Sequence, residues 1–427
     1  MGAGSTLDAG KVLYYTCYAM RILFLADGRS PIALNWIAYF LETGDEVHLV
    51  SLYPCPTDPR FASVHWLRIP FLGSELAAQT ARGLFARRLL PARWRTTLRQ
   101  HLVPLGLGRA ARELHRWLER VQPDLIHAMR IPYEGMVAAL VQPACPLLIS
   151  VWGNDLTLHA TANPLLRQLT RQTLARASAL HSDCHRDQRL AVHWGFDPRK
   201  PAIVLPGAGG VQRQLFRPQA GVDRQPIVVN PRGLRAYVRN DTFFGTIPLV
   251  RRAMPEVRFL CPAMQGEAEA ERWVQREGVE DVVKLLPRLS RAEMALLFQQ
   301  AAVTVSITEH DGTPNTLLEA MACGSFPIAG DLEPLREWIT PGVNGALVSP
   351  ADRQGLAETI LWALSDEQLR QRACEINQEL IDQRADYAKV MPQAQAFYRA
   401  LVSSSPRLRG RDGQPAGGRA GGGRPAA

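Results

Sequence analysis

The sequence predicts a two-domain α/β protein in which each domain has a parallel β-sheet covered by helices. The chain has 427 residues and 46% of them are apolar. That length exceeds one ordinary core and suits two domains of roughly 150 to 200 residues each. Short apolar runs alternate with helical patterns, and the alternation is interrupted once and then restarts. This rhythm is typical of two Rossmann-like halves joined by a linker.

The first predicted domain covers residues 20–206. The apolar run RILFLA is followed by a turn and by the helical pattern IALNWIAYFLETG, which ends at Gly44 before the next run, EVHLVSL. This order is a βαβ unit. The same rhythm returns at DLIHAM, PLLISVW, ALHSD and AIVLP, so we expect these runs to be further strands of one buried parallel sheet.

The second predicted domain covers residues 226–385 and follows a Gly-rich, polar linker at 207–225. Its strand-like runs are PIVVN, VRFLC, VVKLL and VTVSIT, followed by FPIAG and ALVSP, with helical patterns between them. We expect a C-terminal helix at 386–402. A disordered tail is expected at 403–427, which is rich in Gly, Pro and Arg and has no apolar period. Residues 1–19 are expected to be a leader, either disordered or upstream of the natural start.

Charge and cysteine usage exclude several classes of protein. The net charge of +9 is concentrated in two patches: residues 81–120 hold ten arginines against two glutamates, and the tail from Ser403 holds five arginines against one aspartate. The remainder is slightly acidic, so we expect no nucleic-acid partner. The seven cysteines are scattered and form no C-x-x-C pair, which favours a reducing compartment without structural zinc. No apolar stretch is long enough to span a membrane.

The segment EHDGTPNTLLEAMACG, residues 309–324, places polar groups where α/β domains bind ligands. Strand VTVSIT delivers this segment to the carboxyl end of a parallel sheet. We expect Thr313 at the N-cap, Pro314 at the first helical position and Gly324 at the helix end. The N-terminus of such a helix carries partial positive charge and free backbone donors. It therefore predicts an anion site that suits a diphosphate.

Two carboxylates flank this predicted anion site. Asp311 lies just before the helix and Glu319 near its second turn, a placement that suits hydroxyl groups on either side of a phosphate. The simplest alternative roles are a partner for the helix dipole at Asp311 and a solvated acid at Glu319. Glu319, however, is embedded in the apolar run LLEAMA, where a partly buried carboxylate needs a partner. The surrounding pattern favours a binding site.

The run DGTPNTLLEAMACGSFPIA resembles the E-x7-E segment of retaining family 4 glycosyltransferases of the GT-B fold, with Asp311 in place of the usual first Glu. LPGAGGVQRQLFRP and PGVNGALVSPADRQGLAETI resemble the family's interdomain and late strand-helix segments, so the resemblance covers most of residues 20–402. It implies two parallel sheets facing across a cleft. It also implies that Asp311 contacts donor-sugar hydroxyls and that Glu319 binds the ribose diol. The residues of this segment expected to bind the donor are Gly312, Thr313, Asn315 and Glu319.

A leaving diphosphate needs positive charge, and the sequence has no D-x-D pair to hold a divalent metal. Fixed cations are therefore expected to stabilise the charge, without metal or other cofactor. In PRGLRAYVRND, Arg232 occupies the position of the family's phosphate-binding Arg. Tyr237 stands where the family has a Lys, so Arg235 or Arg239 is expected to supply the second cation. Exposed arginines of a surface loop are the alternative. The expected catalytic residues are Asp311, Glu319 and Arg232.

Four residues of the first domain are expected on the acceptor side. Gly28 and Arg29 lie in the turn after the first strand, where glycine lets a ligand approach the backbone, although a plain βα turn explains them too. His127 matches a family His at a strand end, but a second family His is replaced by Met129, and a packed core His is an equal alternative. Asp155 lies in WGND, which resembles the family's cleft loop. A helix cap is its alternative role.

The arginine-rich stretch at 82–101 interleaves Leu, Phe and Trp with cations. This composition is typical of a segment that lies on anionic lipid. A helix face with snorkelling arginines, or a pocket for an anionic acceptor, explains the stretch equally well.

These features predict a retaining glycosyltransferase that moves a sugar from a nucleotide-diphosphate donor to a glycan, lipid-linked or small-molecule acceptor. We expect it in the cytoplasm or at the inner face of the membrane. Two alternatives stay open. One is a sugar-nucleotide epimerase of similar fold; the other is a non-catalytic carbohydrate-binding relative, suggested by the departures at Asp311 and Tyr237.

Overall fold

The computed structural model describes residues 19–70, 72, 92–219, 221 and 224–405. It contains two α/β domains, each with a wholly parallel sheet, and so confirms the predicted fold class. Most of the predicted leader and tail, residues 1–18 and 406–427, lies outside the described residues.

The first domain contains a seven-stranded sheet in which each strand is followed by a turn or helix. Its strands are β1 (Arg21–Ala26), β2 (Glu46–Ser51), β3 (Ser63–Trp66), β4 (Leu125–Ala128), β5 (Leu147–Val151), β6 (Ala179–Ser182) and β7 (Ala202–Val204). Its helices are α1 (Pro31–Glu42), α2 (Ala92–Leu102), α3 (Leu107–Val121), α4 (Met136–Val141), α5 (Pro164–Arg176) and α6 (His185–His193). The strand order is β3-β2-β1-β4-β5-β6-β7. Because the order reverses beside β1, the loops after β1 and β4 border a crevice.

The second domain repeats this architecture with six strands. Its strands are β8 (Gln225–Val229), β9 (Arg258–Cys261), β10 (Val283–Leu285), β11 (Ala301–Ser306), β12 (Phe326–Gly330) and β13 (Ala346–Val348). The helices that follow β8 are α7 (Asn240–Ala253), α8 (Ala268–Glu277), α9 (Arg291–Gln300), α10 (Asn315–Cys323), α11 (Arg353–Ser365), α12 (Glu367–Arg384) and α13 (Tyr387–Ser403). The strand order β10-β9-β8-β11-β12-β13 places β8 next to β11.

The last helix, α13, packs on the first domain rather than the second. Its apolar face, which includes Met391, Tyr398 and Leu401, shares a buried core with β1 and α1. The chain therefore crosses between the domains twice. The two crossings are hydrogen-bonded to each other, because Val211 N–H donates to the Ala385 carbonyl (2.6 Å) and Tyr387 N–H donates to the Val211 carbonyl (3.0 Å). The crossings together form the covalent connection between the domains.

A buried chain of polar side chains ties α13 to the first sheet. The Tyr398 hydroxyl accepts a hydrogen bond from Trp36 Nε1 (2.8 Å) and contacts His127 Nδ1. His127 Nε2 is hydrogen-bonded to Ser150 Oγ (2.6 Å), and Ser150 Oγ is hydrogen-bonded to His181 Nδ1 (2.7 Å). His127 is fully buried, and burial followed by the nearby His181 holds its pKa well below the usual range. The structure thus places His127 in the core and not on the acceptor side.

Replacing Tyr398 with phenylalanine is expected to lower the free energy of unfolding by about 2 to 4 kcal/mol, because Trp36 and His127 would each lose a buried hydrogen-bond partner. Denaturant titration measures this loss. Tyr237→Phe is the matched control: among the described residues its hydroxyl has one hydrogen bond, accepted from the exposed Arg235 (3.2 Å), so a change below about 0.5 kcal/mol is expected. Equal losses in the two variants would contradict a structural role for the buried chain.

The predicted membrane-binding stretch, residues 82–101, lies only partly within the described residues. Residues 82–91 lie outside the described residues, and the remainder falls in α2, where Trp94 is 59% exposed and Leu98 is 55% exposed. Within the part of the chain that the structure describes, no helix has both the length and the apolar character that a bilayer span requires.

Candidate active site

The loop after β11 and the start of α10 form the centre of the site. Pro314 is the N-cap of α10 and its backbone is extended, so the helix begins at Asn315, and the predicted N-cap at Thr313 is wrong by one residue. The Thr313 hydroxyl is engaged elsewhere: it donates to the Asp183 carbonyl (2.5 Å) and accepts from Trp338 Nε1 (3.0 Å). Gly324 ends the helix in the left-handed conformation, with φ +82°, as predicted.

The first domain touches the second at this loop. Asp183, just after β6, lies against Gly312, where an added Cβ would come within 2.3 Å of Asp183 Oδ1. Gly153, after β5, approaches so closely that a Cβ there would lie 1.6 Å from Gly312 N. Asp183 Oδ2 also accepts from the Thr313 amide (3.3 Å). The carboxyl group of Asp183 therefore already accepts the hydrogen bond of the Thr313 amide, which the sequence analysis expected to bind an anion.

Asp183 is costly in this position. Burial, with smaller contributions from Asp187 and Asp311, raises its pKa well above the usual range. Its Oδ1 atom is buried and has no hydrogen-bond partner among the described residues. Only its place at the carboxyl end of ALHSD, a predicted strand, pointed to this edge of the sheet. The contact joins the two domains, but it leaves one oxygen of the buried Asp183 carboxyl group without a hydrogen bond from the described residues.

Arg232 and Asp311 meet as a buried ion pair. Arg232 Nη2 donates to Asp311 Oδ2 at 2.7 Å, and the two side chains are 6% and 12% exposed. The residues come from the carboxyl ends of the adjacent strands β8 and β11. Arg232 Nε is buried and has no partner within the described ranges, so the guanidinium retains a donor for a further acceptor.

The candidate second cations differ from Arg232. Arg239 forms ion pairs with Asp241 (2.8 Å) and Glu309 (2.8 Å), so its charge is already balanced by carboxylates. Arg235 is exposed and donates to the Tyr237 hydroxyl (3.2 Å). The structure does not bring either guanidinium into the buried pair.

Glu319 lies on α10 and is paired with an arginine of α9. Its Oε1 is 3.5 Å from Arg291 Nη2, and its side chain is 16% exposed. Burial raises the pKa of Glu319 to about 7, although Arg291 opposes the shift. Arg291 Nη1 also donates to Asn35 Oδ1 (2.6 Å) of the first domain. Asn315, expected to bind the donor, instead accepts a hydrogen bond from the backbone amide of Ala208 in the linker (3.3 Å).

Gly28 and Arg29 lie in the turn after β1, and of the two only Arg29 lines a cavity in the first domain. The Gly28 amide donates to Ser51 Oγ (3.0 Å), and a Cβ at this position would lie 2.6 Å from Cys55 Sγ, so packing requires glycine here. Arg29 pairs with Asp27 (3.0 Å) and helps to line the cavity.

Asp155 is fully buried behind this cavity. It accepts from Arg130 Nη2 (2.6 Å) and from the amides of Ile131 and Trp152 (3.2 Å each). It therefore positions Arg130 and does not itself face an acceptor. The geometry shows neither the cleft contact nor the helix cap that the sequence suggests for Asp155, but an anchor for Arg130.

The cavity has a volume of about 180 Å³ and mixes charged with aromatic side chains. The sequence analysis had pointed to Arg29, and to Arg99 as part of the arginine-rich stretch, but not to Arg130 and Glu134, which follow β4 between apolar residues. Glu134 is only 3% exposed, and burial raises its pKa to about 8 against the opposing effect of Arg130. The polar and aromatic residues that line the cavity are Asp27, Arg29, Ser30, Tyr53, Arg99, Arg130, Tyr133, Glu134, Trp152 and His159.

One cluster in the described part of the chain has the composition of a metal site, and the expectation of no metal stays a prediction. Ligand atoms of Asp183, Cys184 and Asp187 lie within 4.8 Å of one another. Arg186 already forms an ion pair with Asp187 (2.6 Å), and burial raises the pKa of Asp187 to about 6. An arginine thus already neutralises part of this charge.

Comparisons with known proteins agree with the architecture. Residues 28–207 match the family model described as a glycosyl transferase 4-like domain. Residues 220–379 match the model described as glycosyl transferases group 1. HepE of Anabaena, crystallised with UDP-glucose, superposes with a TM-score of 0.67 at 18% identity, over 90% of this chain and 100% of that chain.

Two curated relatives are GDP-mannose:cellobiosyl-diphosphopolyprenol alpha-mannosyltransferases. The chain is 24% identical to that of Xanthomonas oryzae pv. oryzae over 352 residues, 78% of this chain and 82% of the relative. It is 25% identical to that of Xanthomonas campestris over 255 residues, 56% of this chain and 63% of the relative, less than two thirds of that protein's length. The two domain models match consecutive parts of the chain, and each coincides with one of the parallel sheets. The protein therefore belongs to the family 4 type of GT-B glycosyltransferases.

Proposed function

We propose that this protein is a retaining glycosyltransferase that takes a sugar from a nucleotide-diphosphate donor held by the second domain. The acceptor would bind in the first-domain cavity. The observation that carries the proposal is the buried Arg232–Asp311 pair beside the start of α10, with a free guanidinium donor at Arg232. The fixed cation would meet the diphosphate charge, Asp311 would contact the sugar and Glu319 the ribose diol. The relatives' names make GDP-mannose the first donor to test.

Retention is proposed through a front-face mechanism. A double displacement needs a free carboxylate nucleophile about 5 Å from a carboxylic acid. Asp311 is paired with Arg232 and Glu319 with Arg291, so both expected acids are already committed to arginines. In the proposed mechanism the bond to the leaving phosphate breaks through an ion-pair-like state. The departing phosphate oxygen takes the acceptor proton while the acceptor oxygen attacks the same face of the sugar.

Donor binding would require the domains to separate at the Asp183 contact. Asp183 occupies the Thr313 amide in the closed arrangement, so a phosphate and this carboxylate would compete for the same backbone donor. Closure around the bound donor would then exclude water from the reacting atoms. We propose that this cycle needs no divalent metal, because Arg232 supplies fixed positive charge.

We also propose a cytoplasmic enzyme that contacts anionic membrane through the arginine-rich stretch and α2. Trp94 and Leu98 lie one helical turn apart and are both more than half exposed, which suits a helix resting on lipid. All six cysteines in the described residues are unpaired, as a reducing compartment would favour. Failure to bind anionic vesicles at low salt would remove the membrane proposal.

The proposed function is tested by incubating the purified protein with a panel of nucleotide sugars and scoring slow donor hydrolysis by NMR. A retaining transferase is expected to release nucleoside diphosphate and the sugar in the donor's anomeric form, with or without EDTA. Formation of an epimer would favour the epimerase. No turnover of any donor would favour the carbohydrate-binding relative, and release of the opposite anomer would overturn retention.

A further inference from the structure

The first-domain cavity gathers more positive charge than its acids balance. Three arginines line it: Arg29, Arg99 and Arg130. Arg29 pairs with Asp27 (3.0 Å), and Arg130 pairs with Asp155 (2.6 Å). The Arg99 guanidinium has no ion pair or hydrogen bond to any residue that the structure describes. Among the described residues, therefore, one cation of this cavity lacks an anionic partner.

The remaining acid of the cavity does not cancel this charge. Burial raises the pKa of Glu134 to about 8, so the carboxyl group is mostly protonated at neutral pH. A protonated carboxyl donates a hydrogen bond and does not repel an incoming anion. His159 is buried, and burial followed by Arg130 and Arg99 holds its pKa well below the usual range, so it contributes no charge. Counted over the described residues, the cavity is net positive before a ligand binds.

The cavity also has surfaces suited to a sugar or polyol ring. Tyr53, Tyr133 and Trp152 contribute aromatic walls, which bury the apolar face of a ring while leaving its hydroxyl groups free. Trp152 immediately precedes Gly153, the residue whose backbone touches Gly312 of the donor-side loop. A ligand against this wall would lie next to the proposed reaction centre.

We propose that the acceptor carries a phosphate group, and that this group binds in the first-domain cavity against Arg99 and Arg130. The inference rests on the proposed function, because it names the acceptor class of the same site. Arg99 supplies the uncompensated cation, and Arg130, held in place by Asp155, supplies a second guanidinium. Planar guanidinium groups match phosphate oxygens in a bidentate manner. The acceptor is therefore a phosphorylated sugar or polyol, either free or joined to a lipid through its phosphate.

The binding test uses inorganic phosphate as the probe, with the full chain first saturated with UDP, or in a second series with GDP, to fill the donor side. Isothermal titration at constant ionic strength, with chloride replacing phosphate, is expected to show saturable binding. Arg99→Gln is expected to weaken that binding by about tenfold or more, the usual size of a charge-assisted hydrogen bond. Arg112→Gln, an exposed site on α3 outside the cavity, is the matched control and should bind like the wild type.

Absence of saturable phosphate binding, or equal affinities in wild type and Arg99→Gln, would overturn the proposal. A turnover series identifies the source of the phosphate: a soluble sugar phosphate, a polyprenyl-diphosphate sugar in micelles, and the dephosphorylated counterpart of each. Arg99→Gln is expected to raise KM for the phosphorylated acceptor more than it lowers kcat. Faster transfer to the dephosphorylated acceptors would also overturn it. Donor hydrolysis by the wild type tests the proposed function separately, so the two failures are distinguishable.

Discussion

Arg232→Ala is expected to lower kcat/KM for sugar transfer by about 10² to 10³, the usual loss when one fixed group that stabilises transition-state charge is removed. Arg232 forms the buried pair with Asp311 and is the one site cation with a free buried donor in the described structure. The same change is expected to lower the free energy of unfolding by about 3 to 5 kcal/mol, because it leaves Asp311 buried and unpaired. Initial rates and denaturant titrations on the same preparations measure both effects.

Two further variants separate catalysis from folding. Arg232→Lys retains the charge but loses the planar fork, so we expect it to recover part of the stability while transfer stays at least about tenfold slower. Arg235→Ala removes an exposed arginine of the same loop and is expected to change neither quantity appreciably. Full turnover by a folded Arg232→Ala protein would exclude Arg232 from the site.

Glu319→Gln is expected to reduce kcat/KM by about 10² or more, because an ionised carboxylate forms charge-assisted hydrogen bonds that an amide does not replace. The wild-type kcat/KM should rise with pH and level off above about pH 7, because the raised pKa leaves the carboxyl protonated below that value. The glutamine variant should lack this limb of the profile. An identical pH profile in both proteins would contradict the assignment of the limb to Glu319.

The contribution of Glu319 to stability should fall over the same pH range in which the wild-type kcat/KM rises. The pKa of Glu319 is raised in the folded state, so the folded protein binds an extra proton between about pH 4.5 and 7. The contribution of Glu319 to the free energy of unfolding is therefore fully present below pH 4.5 and is lost as pH rises to about 7. Relative to wild type, Glu319→Gln should gain stability across this window. Glu379→Gln, at an exposed position of α12, should show no such trend.

The sequence predicted the fold well because buried parallel strands are recognisable as short apolar runs. It also assigned Arg232 and Asp311, which are 79 positions apart, to one site, although it did not predict that they pair with each other. They meet because both follow strands whose carboxyl ends share one edge of a sheet. The predicted N-cap at Thr313 was wrong because the Thr313 hydroxyl donates to Asp183 of the other domain. No local sequence pattern encodes this contact.

The sequence could not predict the roles of residues whose environment depends on packing against distant parts of the chain. The local sequence around His127 is compatible with a cleft position and with a core position. His127 lies in the core because its ring contacts Tyr398, which lies 271 positions later. Glu134 and Asp183 owe their raised pKa values to burial by neighbouring segments. The sequence predicted a C-terminal helix at 386–402 but not which of the two sheets this helix covers.

The position of α13 has a consequence for biosynthesis. The core of the first domain includes Tyr398 and Leu401, so its sheet cannot be fully covered until α13 has left the ribosome. The second domain, by contrast, has all its strands and helices by Arg384. Domains usually fold in the order in which they are translated. Here the core of the domain that is made first is completed only after the second domain has been synthesised, and its apolar face stays accessible to chaperones until α13 emerges.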